Sequence, residues 1–202
     1  AGPHAHYSKF YKDKFLYIVD LGIDEIASYM VAANGDIGEK KIALKTDVSD
    51  GPRHMTFHPS KDIAYVINEI SNSVIVSTIN QEDGSLNSIQ KISTLPEDFK
   101  EKSHCADIHI TSSGKFLYAS NRGHNSIAMY AVANDGTLVL IGNESVRGDW
   151  PRNFTLSPDD NYLLVANQNS DNIVVFRVDQ KTGELNFTGN EIAVSMPVCL
   201  KF

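Results

Sequence analysis

The stretch Gly51-Pro52-Arg53-His54-Met55-Thr56-Phe57-His58-Pro59 returns later as Trp150-Pro151-Arg152-Asn153-Phe154-Thr155-Leu156-Ser157-Pro158, and this repetition limits the possible folds more than any other feature of the chain. Each copy leads into an apolar run that ends in polar residues. In the first this is Ile63-Ala64-Tyr65-Val66-Ile67-Asn68-Glu69, and in the second Tyr162-Leu163-Leu164-Val165-Ala166-Asn167-Gln168. A third copy starts near Ala106 and runs through Phe116-Leu117-Tyr118-Ala119-Ser120-Asn121-Arg122. A fourth runs from Gly2-Pro3-His4-Ala5-His6 to Phe15-Leu16-Tyr17-Ile18-Val19-Asp20-Leu21. The chain is four tandem units with a period of roughly 50 residues, the length of a propeller blade.

Within the second unit, short apolar or alternating runs at Arg53 to Phe57, Ile63 to Asn68, Ser73 to Ile79 and Leu86 to Leu95 are separated by turn residues. Nowhere does a helical period persist. The turn between the third and fourth runs recurs as Asn34-Gly35-Asp36, Gln81-Glu82-Asp83-Gly84-Ser85, Asn134-Asp135-Gly136-Thr137 and Asp179-Gln180-Lys181-Thr182-Gly183-Glu184, where Gly, Asn and Asp supply positive φ. The prediction is an all-β β-propeller of four four-stranded blades, at about 2–50, 51–102, 103–149 and 150–195, in a single partial domain. Met196-Pro197-Val198-Cys199-Leu200-Lys201-Phe202 has the apolar-after-proline form of one extra inner strand, so the 202 residues read as the C-terminal part of a longer propeller. Exposed blade edges would then favour self-association.

The formal charge of −7 argues against non-specific nucleic-acid binding, and no apolar run is long enough to span a membrane. Two cysteines, Cys105 and Cys199, are too few for a disulfide framework and are expected as reduced core residues. A cytoplasmic location is the expectation. His104, Cys105, Asp107 and His109 are all acceptable metal ligands, but strand alternation sends His104 to the opposite face from the other three. No metal and no cofactor are expected.

The first two strands of a unit form a hairpin, so the start of one meets the end of the other at the same sheet edge. Aligned on the apolar residue four places on, the first row reads His6, Arg53, Ala106 and Arg152. The row ending the second strand reads Leu21, Glu69, Arg122 and Gln168. Inner strands of a propeller surround one channel, so both rows converge on a funnel with a high density of charge. An alignment anchored on Tyr17 instead pairs His6 with His54, which leaves open whether His4 or His6 faces the funnel. By alternation His54 faces away from Arg53. Taken alone, Arg53 and Glu69 also fit an ion pair that merely joins blades.

The motifs Gly-Pro-His-Ala-His at Gly2–His6, Gly-Pro-Arg-His at Gly51–His54, Asn68-Glu69, Phe116-Leu117-Tyr118-Ala119-Ser120-Asn121-Arg122-Gly123, Trp150-Pro151-Arg152-Asn153-Phe154 and the ending Pro197–Phe202 resemble the seven-bladed propeller lactonase family over essentially the whole chain. That family includes 6-phosphogluconolactonase and a carboxymuconate-cyclising enzyme. The resemblance implies three further blades before Ala1 and a catalytic set at His6, Arg53, Glu69 and Arg122, with His4, His54 and Arg152 as substrate contacts. The implied substrate is a small anionic lactone such as 6-phosphogluconolactone, opened by water. Glu69 or a neutral His6 would take the proton, Arg53 or Arg122 would face the oxyanion, and the remaining guanidinium would hold a phosphate or carboxylate. The rival readings are a muconate-lactonising isomerase of the same family and a non-catalytic binding scaffold.

Overall fold

The structure, a computed structural model, describes residues 2–202. It contains four four-stranded antiparallel sheets, each an up-and-down meander in chain order, and no helix among the described residues. The first sheet holds β1 (Ala5–Tyr11), β2 (Phe15–Asp20), β3 (Glu25–Met30) and β4 (Lys41–Lys45). The second holds β5 (Pro52–Phe57), β6 (Ile63–Asn68), β7 (Ser73–Ile79) and β8 (Leu86–Ser93). The third comprises β9 (His104–Ile110), β10 (Phe116–Arg122), β11 (Ser126–Val132) and β12 (Leu138–Ser145). The fourth comprises β13 (Pro151–Leu156), β14 (Tyr162–Asn167), β15 (Asn172–Val178) and β16 (Leu185–Ala193). First strands of successive sheets lie against one another, β1 on β5, β5 on β9 and β9 on β13, so they form the inner wall about a shared axis.

Three separate cores fill the gaps between successive sheets, and strand periodicity explains how one strand serves two of them. In β6, Ala64 and Val66 point back to the first sheet, where they meet Phe15, Tyr17 and Val19. Tyr65 and Ile67 point forward to Leu117, Ala119 and Tyr130 of the third. A strand packed on both faces must be apolar throughout, and every residue of β6 is buried. The fourth strands lie outermost and alternate with solvent, as in β8. The two end sheets each have a face without a neighbouring sheet, and Phe10, Ile42 and Ile192 are exposed there.

A side chain and a turn clasp each sheet to the next. The buried hydroxyls of Tyr17, Tyr65 and Tyr118 donate to the carbonyls of Gly84, Gly136 and Gly183 at 2.9, 3.0 and 3.0 Å. Each acceptor is the positive-φ glycine in the last turn of the following sheet. The corresponding position of the fourth sheet is Leu164, which has no hydroxyl to offer. Removing one hydroxyl, as in Tyr118→Phe, strands a buried carbonyl and should lower stability by about 1–2 kcal/mol, read from urea denaturation.

Two expectations need correction. The segment 196–202 joins no sheet: the described residues hold no second strand for it to pair with, and its backbone is caught by side chains instead. Met196 N–H donates to Asp171 Oδ1 at 2.7 Å and Leu200 N–H to Asn153 Oδ1 at 2.6 Å. Cys199, on that segment, is exposed rather than in a core, whereas Cys105 is buried; both thiols are free. Among the described residues no helix is long and apolar enough to cross a membrane.

Candidate active site

The inner strands carry one irregularity in common. Pairing of β1 with β2 skips from Ala5↔Asp20 to Tyr7↔Val19, leaving His6 as an extra residue. In β5 the skip leaves Arg53, between Pro52↔Asn68 and His54↔Ile67. In β13 it leaves Arg152, between Pro151↔Asn167 and Asn153↔Ala166. In β9, Ala106 and Asp107 lie between the pairs Cys105↔Asn121 and Ile108↔Ala119. A β-bulge of this kind bends the strand and re-aims a side chain. His6, Arg53, Ala106 and Arg152 therefore occupy one equivalent position in the four sheets, the row that sequence alignment gave.

At the ends of the second strands, Glu69 and Arg122 complete the cluster. Glu69 Oε2 lies 2.8 Å from Arg53 Nε and 2.9 Å from Arg122 Nη2. The β9 bulge interrupts the ladder, and the two guanidiniums take up carbonyls there: Arg122 Nη2 donates to Cys105 O at 2.7 Å and Arg53 Nη1 to Ala106 O. Burial, then the neighbouring Arg122, lowers the Arg53 guanidinium to about 10, so it stays charged at neutral pH. Arg152 stands close enough to affect the titration of His6, Arg53 and Arg122, yet it forms no ion pair among the described residues. Two guanidiniums thus share a single carboxylate, with that of Arg152 near them, inside a protein of net charge −7.

The structure separates the two candidate histidines. His6 is half-buried, with its ring centroid 5.1 Å from that of His54, whereas His4 is exposed and 6.4 Å from His6 at the rim. The His4 backbone N–H donates to Asp20 Oδ1 at 2.7 Å. Burial first, then the charges of Arg53 and His54, lower His6 to about 4, which makes it a neutral ring at physiological pH.

The expectation that His54 faces away from Arg53 is overturned. The extra residue at 53 resets the alternation, and His54 Nε2 lies 3.3 Å from Arg53 Nη1. Its other nitrogen, Nδ1, lies 2.7 Å from Oδ1 of the buried Asp107. Asp107 also accepts from Ile108 N–H and Asn153 Nδ2, and its Oδ2 lies 3.1 Å from His109 Nε2. Burial alone would raise the Asp107 carboxyl, but His109 and His54 beside it hold it well below the usual carboxylate range. His54 and Asp107 also line a cavity of about 450 Å³ together with Tyr7, His109 and Asn153. The four possible metal ligands at 104–109 do not converge, because Cys105 turns to Thr94 and Asn121 and its buried thiol is pushed up to about 12.

Sequence reasoning missed one further wall residue, Trp150. Trp150 has a φ of 65°, a left-handed conformation that a bulky side chain rarely adopts, at the place where the second unit has Gly51 with φ 63°. The strain puts the indole over Arg122, 5.3 Å from ring centroid to guanidinium carbon, with His104 against it edge-on. A Trp replacing the glycine of the repeat was the available signal. Buried polar atoms without partners gather in the same region: His6 Nδ1, Arg53 Nε, His104 Nδ1 and Gln168 Oε1. Arg53 Nε is near Glu69, but its N–H is not aimed along the contact. Native structures seldom leave such atoms unsatisfied without water or a ligand.

The folded protein resists protonation here, and this sets a pH dependence. His6, His54 and, in the turn after β5, His58 are all lowered from 6.5, each first by burial. Below that value the unfolded chain binds protons that the folded chain refuses, so stability should fall as pH drops from about 6.5 towards 4. Asp107, held low, adds to the loss at still lower pH. Denaturation midpoints at pH 7 and pH 5 should show the decrease, and His6→Gln should reduce it.

Radial sheets around a cationic funnel define a β-propeller. The model of the family described as "Lactonase, 7-bladed beta-propeller" matches residues 1–202, and the chain belongs to that family. It is 38% identical over 202 residues to 6-phosphogluconolactonase of Bacillus subtilis, covering 99% of this chain and 57% of that protein. The periplasmic gluconolactonase PpgL of Pseudomonas aeruginosa superposes with a TM-score of 0.90 at 31% identity, over 98% of this chain and 56% of that one. A Lactobacillus plantarum protein superposes with a TM-score of 0.93 at 34% identity, over 98% and 58%. The chain thus spans less than two thirds of the length of these relatives.

Proposed function

We propose that this chain carries the substrate site of a lactone-opening hydrolase acting on an anionic sugar lactone, with 6-phosphogluconolactone as the type of substrate. The observation that carries the reading is the excess of guanidinium over carboxylate beside orphaned polar atoms in one half-buried funnel. The names of the Bacillus and Pseudomonas relatives support the same chemistry.

When water adds to a lactone carbonyl, negative charge develops on the carbonyl oxygen, and a fixed cationic donor lowers the barrier. Arg122 and Arg53 are held for that role by Glu69 and by the β9 carbonyls. Arg152, with no carboxylate of its own, is free to take the phosphate or another anionic group of the substrate in bidentate fashion. His6 and His4 lie on the side of the first sheet, where they contact substrate hydroxyls.

The test compares opening of 6-phosphogluconolactone and δ-gluconolactone with the spontaneous rates. Both should open faster in the presence of the protein. Arg152→Ala should raise KM for the phosphorylated lactone by roughly 10- to 100-fold, as loss of a charged hydrogen bond implies, and leave the unphosphorylated one nearly unchanged. No acceleration of either would end the hydrolase reading, and an equal rise for both would remove the phosphate role of Arg152.

A further inference from the structure

We infer that His54 is the general base of this site and that Asp107 is the residue that positions it, an assignment that rests on the lactone-opening reading. Glu69 is poorly placed for proton abstraction, because Oε2 already faces two guanidiniums. His54 meets the geometric requirements of a base: one nitrogen tied to an orienting carboxylate, the other directed at the reacting region.

Two contacts from different sheets fix the same tautomer. Asp107 Oδ1, at 2.7 Å, is an acceptor and needs the proton on Nδ1. Arg53 Nη1, at 3.3 Å, is a donor and needs a lone pair on Nε2. The Nη1 group has a shorter bond to Ala106 O, so the contact to Nε2 is the one a water molecule can replace. Asp107 is itself fixed by the Ile108 N–H, Asn153 and His109, which leaves it little freedom to turn. The ring is held from the other side by Tyr7, stacked at 4.6 Å, and the side chain is 17% exposed.

The charged and titratable groups facing His54 come from three strands. They are His6, Tyr7 and Lys9 of β1, Arg53 of β5, and Asp107 and His109 of β9. In the reaction Nε2 takes a proton from water as the water oxygen bonds to the lactone carbonyl carbon. The ring C–O bond then breaks, and the departing oxygen takes that proton back from Nε2. The open hydroxy acid contains every atom of lactone and water, and His54 returns to its starting state.

Two measurements on the 202-residue chain test this: NMR of the His54 ring nitrogens at neutral pH, and pH–rate profiles of δ-gluconolactone opening for the parent, His54→Gln and Asp107→Asn. The parent should carry the His54 proton on Nδ1, and Asp107→Asn should shift it wholly or partly to Nε2. In His54→Gln, kcat should fall by about 10²-fold or more, and the acidic limb of the profile should vanish. In Asp107→Asn, kcat should fall between about tenfold and 10⁴-fold, with KM within about twofold. A proton on Nε2 in the parent overturns the positioning role, and an active parent whose His54→Gln variant keeps its kcat overturns the base role. A parent that opens no lactone overturns the underlying reading instead, while the tautomer still decides what Asp107 does. Should Asp107→Asn fail to fold, the parent tautomer and His54→Gln carry the decision.

Discussion

Glu69→Gln should be the most damaging single substitution in the funnel, lowering stability by about 3–5 kcal/mol and abolishing most lactone opening. Arg53 and Arg122, whose side chains are only 3% and 5% exposed, would be left facing one another with no anion between them. Breaking a buried ion pair from one side strands the remaining charge, and here two charges are stranded. The amide keeps the shape of the side chain, so the loss reports charge rather than packing. Urea denaturation gives the energy. Inorganic phosphate should restore more stability to the variant than to the parent, because it supplies the missing anion. A variant as stable as the parent, and indifferent to phosphate, would show that Glu69 is not what holds the two guanidiniums.

Gly183→Ala should cost about 2–4 kcal/mol, although it lies far from the funnel. Gly183 has φ 77°, where a Cβ is strained by roughly 1 kcal/mol or more. An added Cβ would stand 2.3 Å from Phe116 Cδ1 of the preceding sheet, and overpacking of that kind adds about 1–3 kcal/mol. The same backbone supplies the carbonyl that Tyr118 grips. Gly136→Ala, with φ 90° and a Cβ 2.9 Å from the more adaptable Ile63 Cγ1, should be milder. Equal and small losses at both sites would mean that the turns are not packed against the neighbouring sheet. Gly35→Ala is the control: it shares the positive φ but nothing lies within 4 Å, so it should show the backbone strain alone.

How far the fold could be read from the chain follows from which interactions are local. The repeat, the turn glycines and the doubly apolar second strands all leave marks within a few residues, and four four-stranded sheets result. The row His6, Arg53, Ala106, Arg152 was legible because counting back from an apolar residue in the strand tolerates a bulge placed at the same point in every unit. His54 was misplaced for the converse reason: strict alternation assumes a regular ladder, and one extra residue reverses every side chain beyond it. Asp107 drew attention only as a possible metal ligand, since its real partners, His54 and Asn153, sit on other sheets. The tyrosine of the second strand is visible in three units, but the carbonyl it reaches lies more than sixty residues ahead in each case. The segment 196–202 looks like a strand locally, and a strand exists only where another chain segment pairs with it.

The recurring kink in the inner strands also separates frame from cargo. Imidazole, methyl and two guanidiniums occupy one backbone niche, and in the first, second and fourth sheets the same pairing supports it on either side. Point changes at that niche therefore exchange functional groups while the surrounding architecture stays as it was. A ring assembled this way can acquire a different reactivity residue by residue, without ever having to invent a new scaffold.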